Sequence, residues 1–168
     1  NLRQEQIESE RQGDLNRARV YAQELLKHAG VNKDYLQRAE QVLAKVVAKG
    51  GSGDDWLALG IAQLQQDKLD KAEGTLKGAA NLLKNNPQAP LFLARLYGKQ
   101  GEKEKEREHV DKALGIDAGF VDAWAYLFQS LRDADGEETA LAAVEELAKG
   151  KRNAAPWVAV QGFYASKQ

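Results

Sequence analysis

The 168-residue chain has no cysteine and no methionine, only two histidines and only three prolines. Without cysteine there are no disulfides, no thiol nucleophiles and no cysteine-held metals, while the compartment stays open. His28 and His109 lie in charged or polar surroundings, with no Ser or Asp at a triad spacing and no His-Glu-x-x-His pair. They read as exposed structural residues, which leaves acid–base catalysis without a positioned base and zinc without a ligand set. An excess of charge of one sign is missing as well. Lys and Arg number 24 against 25 Asp and Glu, for a net charge of −1. Residues 1–53 carry 9 basic and 7 acidic groups and residues 54–168 carry 15 and 18, so no basic half is hidden. Nucleic-acid binding, which needs a surplus of cations, is therefore not expected. No apolar run approaches the roughly 18 residues of a membrane helix, so this segment is not expected to insert in a membrane, and no secretory leader is visible. The absence of methionine and the start at Asn1 fit a fragment or a processed form. The localisation is open.

The residues that are present favour helix. Ala, Leu, Gln, Lys and Glu dominate, β-branched runs are nearly absent, and apolar residues recur at three- and four-residue spacing, as in Leu57, Ile61 and Leu64. Breakers at Gly13-Asp14, Gly30, Gly50-Gly51-Ser52-Gly53, Asn85-Asn86-Pro87, Gly101, Asp117-Ala118-Gly119, Asp135-Gly136 and Lys149-Gly150 cut this pattern. The result is an all-α chain of about nine or ten helices, each of roughly 11–17 residues, with room for one domain of ordinary size. The run 50–53 lacks the Gly-Lys-Ser/Thr of a phosphate loop and reads as a flexible joint before a helix capped by Asp54. The alternating charges from Glu102 to Glu108 read as a solvated helix with i,i+4 pairs.

An internal period is present. Leu59, Leu93 and Leu127 are spaced by 34, as are Leu76, Val110 and Val144, and Trp56 and Trp124 lie 68 apart. Small residues Gly60 and Ala94 keep the same interval. The units read Trp56-x-x-Leu59-Gly60 with Ala72-x-x-x-Leu76, Pro90-x-x-Leu93-Ala94-x-x-Tyr97 with Glu106-x-x-x-Val110, and Trp124-x-x-Leu127-Phe128 with Ala140-x-x-x-Val144. This pattern resembles the tetratricopeptide repeat, a 34-residue helix–turn–helix unit. Small residues at the crossing let the two helices approach, and the large positions fill the seam to the next unit. Trp56, Trp124 and Tyr97 are expected in that packing. The resemblance departs at Lys84, Ala118 and Arg152, where proline is usual, at Phe128, and at Glu106, which replaces a small residue. For Glu106 two outcomes are open: the helices splay, or its carboxylate bends out to water along its stem.

The resemblance implies an α-solenoid of antiparallel helix pairs wound into a right-handed superhelix. Residues 1–53 would form degenerate N-terminal helical repeats, with 1–12 as the remnant of a helix. Three repeats would follow over 54–154 (53–86, 87–120 and 121–154), and 155–168 would be a C-terminal capping or truncated helix. In the family, first-helix positions 2, 5, 9, 12 and 13 point into a concave groove. Here these are Asp54, Leu57, Ile61, Leu64 and Gln65, then Gln88, Leu91, Arg95, Gly98 and Lys99, then Asp122, Ala125, Gln129, Arg132 and Asp133. Leu57, Ile61, Leu64 and Leu91 would make an apolar floor. Arg95, Lys99, Gln129 and Arg132 would be polar anchors, with Phe92 and Tyr126 one step from the line. A peptide with an apolar segment and an acidic end would fit, because Arg grips a carboxylate with two parallel hydrogen bonds. The family's clamp for chaperone tails is not expected, since Leu57 and Ile61 occupy its places. A related 35-residue repeat reads RNA, and the 34-residue spacing and acidic balance speak against that. The function implied is a non-catalytic interaction scaffold without cofactor or metal. The alternative is a structural repeat protein that self-associates through its groove or terminal helices.

Overall fold

The computed structural model describes residues 2–30, 32–150 and 153–166, with side chains from residue 11 onward. Of the places named above, Asn1, Arg152 and the last two residues of 155–168 lie outside the described residues. The described residues form nine helices and no strand: α1 (Leu2–Lys27), α2 (Lys33–Ala48), α3 (Gly53–Gln65), α4 (Leu69–Leu82), α5 (Gln88–Gln100), α6 (Lys103–Ile116), α7 (Val121–Asp135), α8 (Glu137–Ala148) and α9 (Ala155–Ala165). This is an all-α helical-repeat fold of the α-solenoid class, built from antiparallel pairs. In place of one domain, the chain divides into two compact units, Asn1–Lys84 and Asn85–Gln168. Helices in a repeat array touch mainly their neighbours, so no single core gathers them all.

In the first unit, α1 packs on α2, α2 on α3, and α3 on α4. Ala22, Leu43 and Leu59 form a buried cluster flanked by Leu26, Val42, Val47 and Ala58. The expected break at Gly13 does not occur, because α1 runs unbroken from Leu2 to Lys27. A glycine inside a helix costs only about 1 kcal/mol relative to alanine. Here Asp14 and Arg17 pair one turn apart, and Arg11 donates to the Lys49 carbonyl at the end of α2. The cap of α3 also differs from expectation. Ser52, not Asp54, is the N-cap, and it forms a reciprocal box with Asp55, whose Oδ2 accepts the Ser52 N–H at 2.7 Å. Arg19 of α1 grips the same carboxylate with Nε at 2.8 Å and Nη2 at 2.7 Å.

The close crossing of α3 and α4 depends on Gly60, where a Cβ would lie 2.6 Å from Leu76 Cδ2. Trp56 leans over Gly78 in the same way. The α3–α4 turn is closed by Asp67 at φ 55°, and the α5–α6 turn by Gly101 at φ 77°. These two left-handed residues stand 34 positions apart in sequence, so the turns repeat along with the helices. Asp tolerates this backbone region better than most side chains, which is why no glycine is needed at the first.

In the second unit, α5 packs on α6, and α7 on both α8 and α9. Trp124, Phe128, Val110 and Val144 lie in one buried cluster with Ala155 and Val160 of α9. Phe128 meets Phe163 edge to face at 5.3 Å. Trp124 Nε1 donates to the Ala118 carbonyl at 2.9 Å, so its one polar atom is satisfied. Tyr97 is buried as expected and meets the His109 ring at a tilt, with centroids 5.0 Å apart. His109 is thus half-buried, unlike the exposed His28.

Candidate functional site

An open cleft of about 710 Å³ lies in the second unit, walled by α5, the start of α6, and α7. Arg95, Gly98 and Lys99 face it from α5, Lys103 and Glu106 from α6, and Tyr126 and Gln129 from α7.

Arg95 is held by two rings. Its guanidinium carbon sits 5.1 Å from the Phe92 centroid and 5.7 Å from that of Tyr126, a cation–π geometry that fixes the fork's plane. Its Nε is buried with no hydrogen-bond partner. Tyr126 is in turn fixed through its hydroxyl, which donates to Glu106 Oε1 at 2.7 Å. Ser130 donates to the same oxygen at 2.8 Å, and Lys103 Nζ to Oε2 at 2.9 Å. The outcome with the Glu106 carboxylate in water therefore does not hold. Its carboxylate does not go to water but is 96% buried, with relative exposure of 4%, and three donors replace its hydration. Burial pushes the Glu106 carboxyl up, but the hydrogen bonds from Lys103, Tyr126 and Ser130 outweigh it and hold the group below the usual carboxylate range. Burial, then the bond to Glu106, push the Tyr126 hydroxyl well above the usual tyrosine range, so it stays a protonated donor.

Gly98 makes room for this network. A Cβ there would stand 2.5 Å from Tyr126 Oη and 2.8 Å from Glu106 Oε1. Sequence reasoning placed Gly98 on the groove line but missed Lys103, Glu106 and Ser130 as its neighbours. The available signal was an acidic residue at a small-residue position, with a tyrosine and a serine one repeat along.

The structure gathers Arg95, Lys99, Tyr126 and Gln129 on one cleft. The apolar floor is corrected. Leu57, Leu64 and Leu91 are buried at 5%, 5% and 2% exposure and Ile61 is half-buried, so three of the four are closed into packing. Leu91 lies in the same buried cluster as Trp124. Arg132 is not among the cleft's lining residues. Its guanidinium covers the Phe163 ring of α9 at 4.5 Å, and Nη2 donates to Asp133 at 2.8 Å. Among the described residues no group of three His, Cys, Asp or Glu could hold a metal, and no helix is long and apolar enough to cross a membrane.

Paired helices at a 34-residue period, with a polar cleft between first helices of successive pairs, define a helical-repeat protein. No family model and no curated protein matches the sequence. Solved structures do. MamA superposes with a TM-score of 0.60 at 20% identity over 96% of each chain. A MamA chain running from residue 41 to the end, from Desulfovibrio magneticus RS-1, gives 0.61 at 20% identity over 80% of this chain and 77% of that one. YrrB, described as a TPR protein with an unusual peptide-binding site, gives 0.58 at 18% identity over 82% of this chain and 69% of its own. The likeness is one of fold: the chain has the tetratricopeptide-type helical-repeat fold.

Proposed function

We propose that the chain is a non-catalytic protein-interaction scaffold that holds a peptide or protein segment in the cleft between α5 and α7. The observation that carries this reading is Arg95, a cation held between two rings at the cleft with a buried, unmatched Nε. No carboxylate among the described residues pairs with it, whereas Arg19 in the first unit is bound by Asp55. A ligand carboxylate would supply the missing partner, and each such charge-assisted bond contributes about 1.5–3 kcal/mol. Lys99 and Gln129 extend the polar wall. Helix pairs α3–α4, α5–α6 and α7–α8 are then the three repeats 53–86, 87–120 and 121–154, with α1–α2 as a degenerate pair before them. That YrrB is described as having a peptide-binding site is consistent with a fold suited to this task.

Screening the chain against immobilised peptides tests the reading. Acidic or C-terminal sequences should be selected by the unaltered chain, lost with Arg95→Glu, and retained with Arg132→Glu. Unchanged affinity in Arg95→Glu refutes it. A second reading, self-association, is favoured by α9, where Trp157 and Val158 are each 48% exposed. It predicts a sedimentation mass that rises with concentration and stops rising in Trp157→Glu.

A further inference from the structure

We propose that the cleft takes a bipolar segment, one that carries a basic residue for Asp122 beside the acidic group for Arg95; this rests on the reading of the cleft as a peptide site. Asp122 lines the same cleft from the first turn of α7, opposite Arg95 on α5. It is exposed, and among the described residues no hydrogen bond or ion pair engages it. The other carboxylates of the cleft are already matched: Asp133 by Arg132 and Glu106 by Lys103. Asp122 and Arg95 carry opposite charges at one cleft and still do not meet.

The repeat geometry accounts for the gap. Arg95 lies against the Tyr126 ring, and Tyr126 follows Asp122 by four residues on α7. Four residues advance a helix by about 6 Å, so Asp122 and the tyrosine that supports Arg95 leave α7 roughly one turn apart. The N-terminus of α7 favours a carboxylate at Asp122 even without a side-chain partner. A ligand that answers both charges therefore needs a cation and an anion about 6–7 Å apart, the distance between residues two apart in an extended chain.

The test uses two blocked glycine peptides in NMR titrations of the whole chain. One carries a single aspartate; the other adds a lysine two residues before it. The lysine peptide should bind between about 2- and 5-fold tighter, the range of an exposed ion pair. Asp122→Asn should remove that advantage and Asp122→Lys should reverse it, without weakening the aspartate-only peptide. Arg95→Gln should weaken both peptides. No advantage for lysine, or an advantage that survives Asp122→Asn, overturns the bipolar inference while leaving an Arg95-dependent acidic site standing. Failure of the aspartate peptide to bind through Arg95 overturns the cleft reading itself. If Asp122 serves only the helix end, Asp122→Asn lowers the melting temperature and leaves the ratio of the two affinities unchanged.

Discussion

Gly98→Ala isolates the packing that holds the cleft together. In a helix interior, replacing Gly by Ala ordinarily stabilises by about 0.5–1 kcal/mol. Gly74, in the middle of α4 with nothing within 4 Å of an added Cβ, should show that gain. At Gly98 the new methyl would lie 2.5 Å from the Tyr126 hydroxyl and 2.8 Å from a Glu106 oxygen. Neither atom can stay, since both distances are well inside van der Waals contact. The Tyr126–Glu106 bond, at 2.7 Å to an ionised and buried acceptor, is the one displaced. A hydrogen bond to a charged group contributes about 1.5–3 kcal/mol. Subtracting the helix gain leaves a net loss of about 0.5–2.5 kcal/mol. Urea unfolding followed by circular dichroism should place Gly98→Ala below the unaltered chain and Gly74→Ala above it. Tyr126 also loses its anchor against Arg95, so affinity for an acidic peptide should fall in Gly98→Ala alone. If Gly98→Ala stabilises as much as Gly74→Ala, the Glu106 network does not constrain α5, and the argument for a pre-organised Arg95 fails with it.

Other consequences are separable from this one. Arg19→Ala leaves the buried Asp55 with only its Ser52 bonds, and should cost about 1.5–3 kcal/mol in urea unfolding; an unchanged midpoint would mean the ion pair contributes nothing. Asp55 is driven up by burial but held lower overall by Arg19 and Ser52, and Glu106 is likewise lowered. Folded values below the unfolded ones mean that this stability is fully present above the usual carboxylate range and is lost as pH falls through it toward the lowered native values. The double variant Asp55→Asn, Glu106→Gln should be less stable at pH 7 yet show a flatter decline between pH 5 and pH 3, and an equally steep decline would remove these two groups as the cause. Arg132→Ala removes the guanidinium from the Phe163 ring, a contact of about 0.5–2 kcal/mol; hydrogen exchange should quicken in α9 and stay unchanged in α5.

The helices were readable because breakers and apolar spacing act locally, and the period because each unit repeats the same local solution. Gly60 against Leu76 and the buried Trp124 follow directly from that logic. Local patterns mislead where two segments distant in the chain decide the outcome. Gly13 looks like a break until Arg11 reaches Lys49, 38 residues on. Asp54 looks like a cap until Ser52 and Asp55 close a box that Arg19 completes. Leu57 and Leu64 share a phase with the groove, but phase says only which way a side chain leaves its own helix. Whether another element then covers it depends on packing, and here both are covered. Glu106 is the sharpest case: its burial depends on Tyr126 and Ser130 being placed on the next helix by a period that the sequence did reveal.

Two arginines separate the structural part of the charge pattern from the part available for recognition. Arg19 meets a carboxylate that is itself built into a helix cap, so its charge is consumed in joining α1 to α3. Arg95 meets two aromatic faces, which offset the loss of water around a guanidinium but leave its buried Nε without a partner. Folding alone would be served as well by an apolar residue between those rings, since burying an unmatched N–H carries a cost. An arginine kept there, on an aromatic support fixed by a buried carboxylate and cleared by a glycine, has its planar fork oriented before any ligand arrives. Pre-organisation of that kind lowers the ordering cost of binding, and it is the physical ground for placing recognition at α5 and α7 instead of at the arginine of α1.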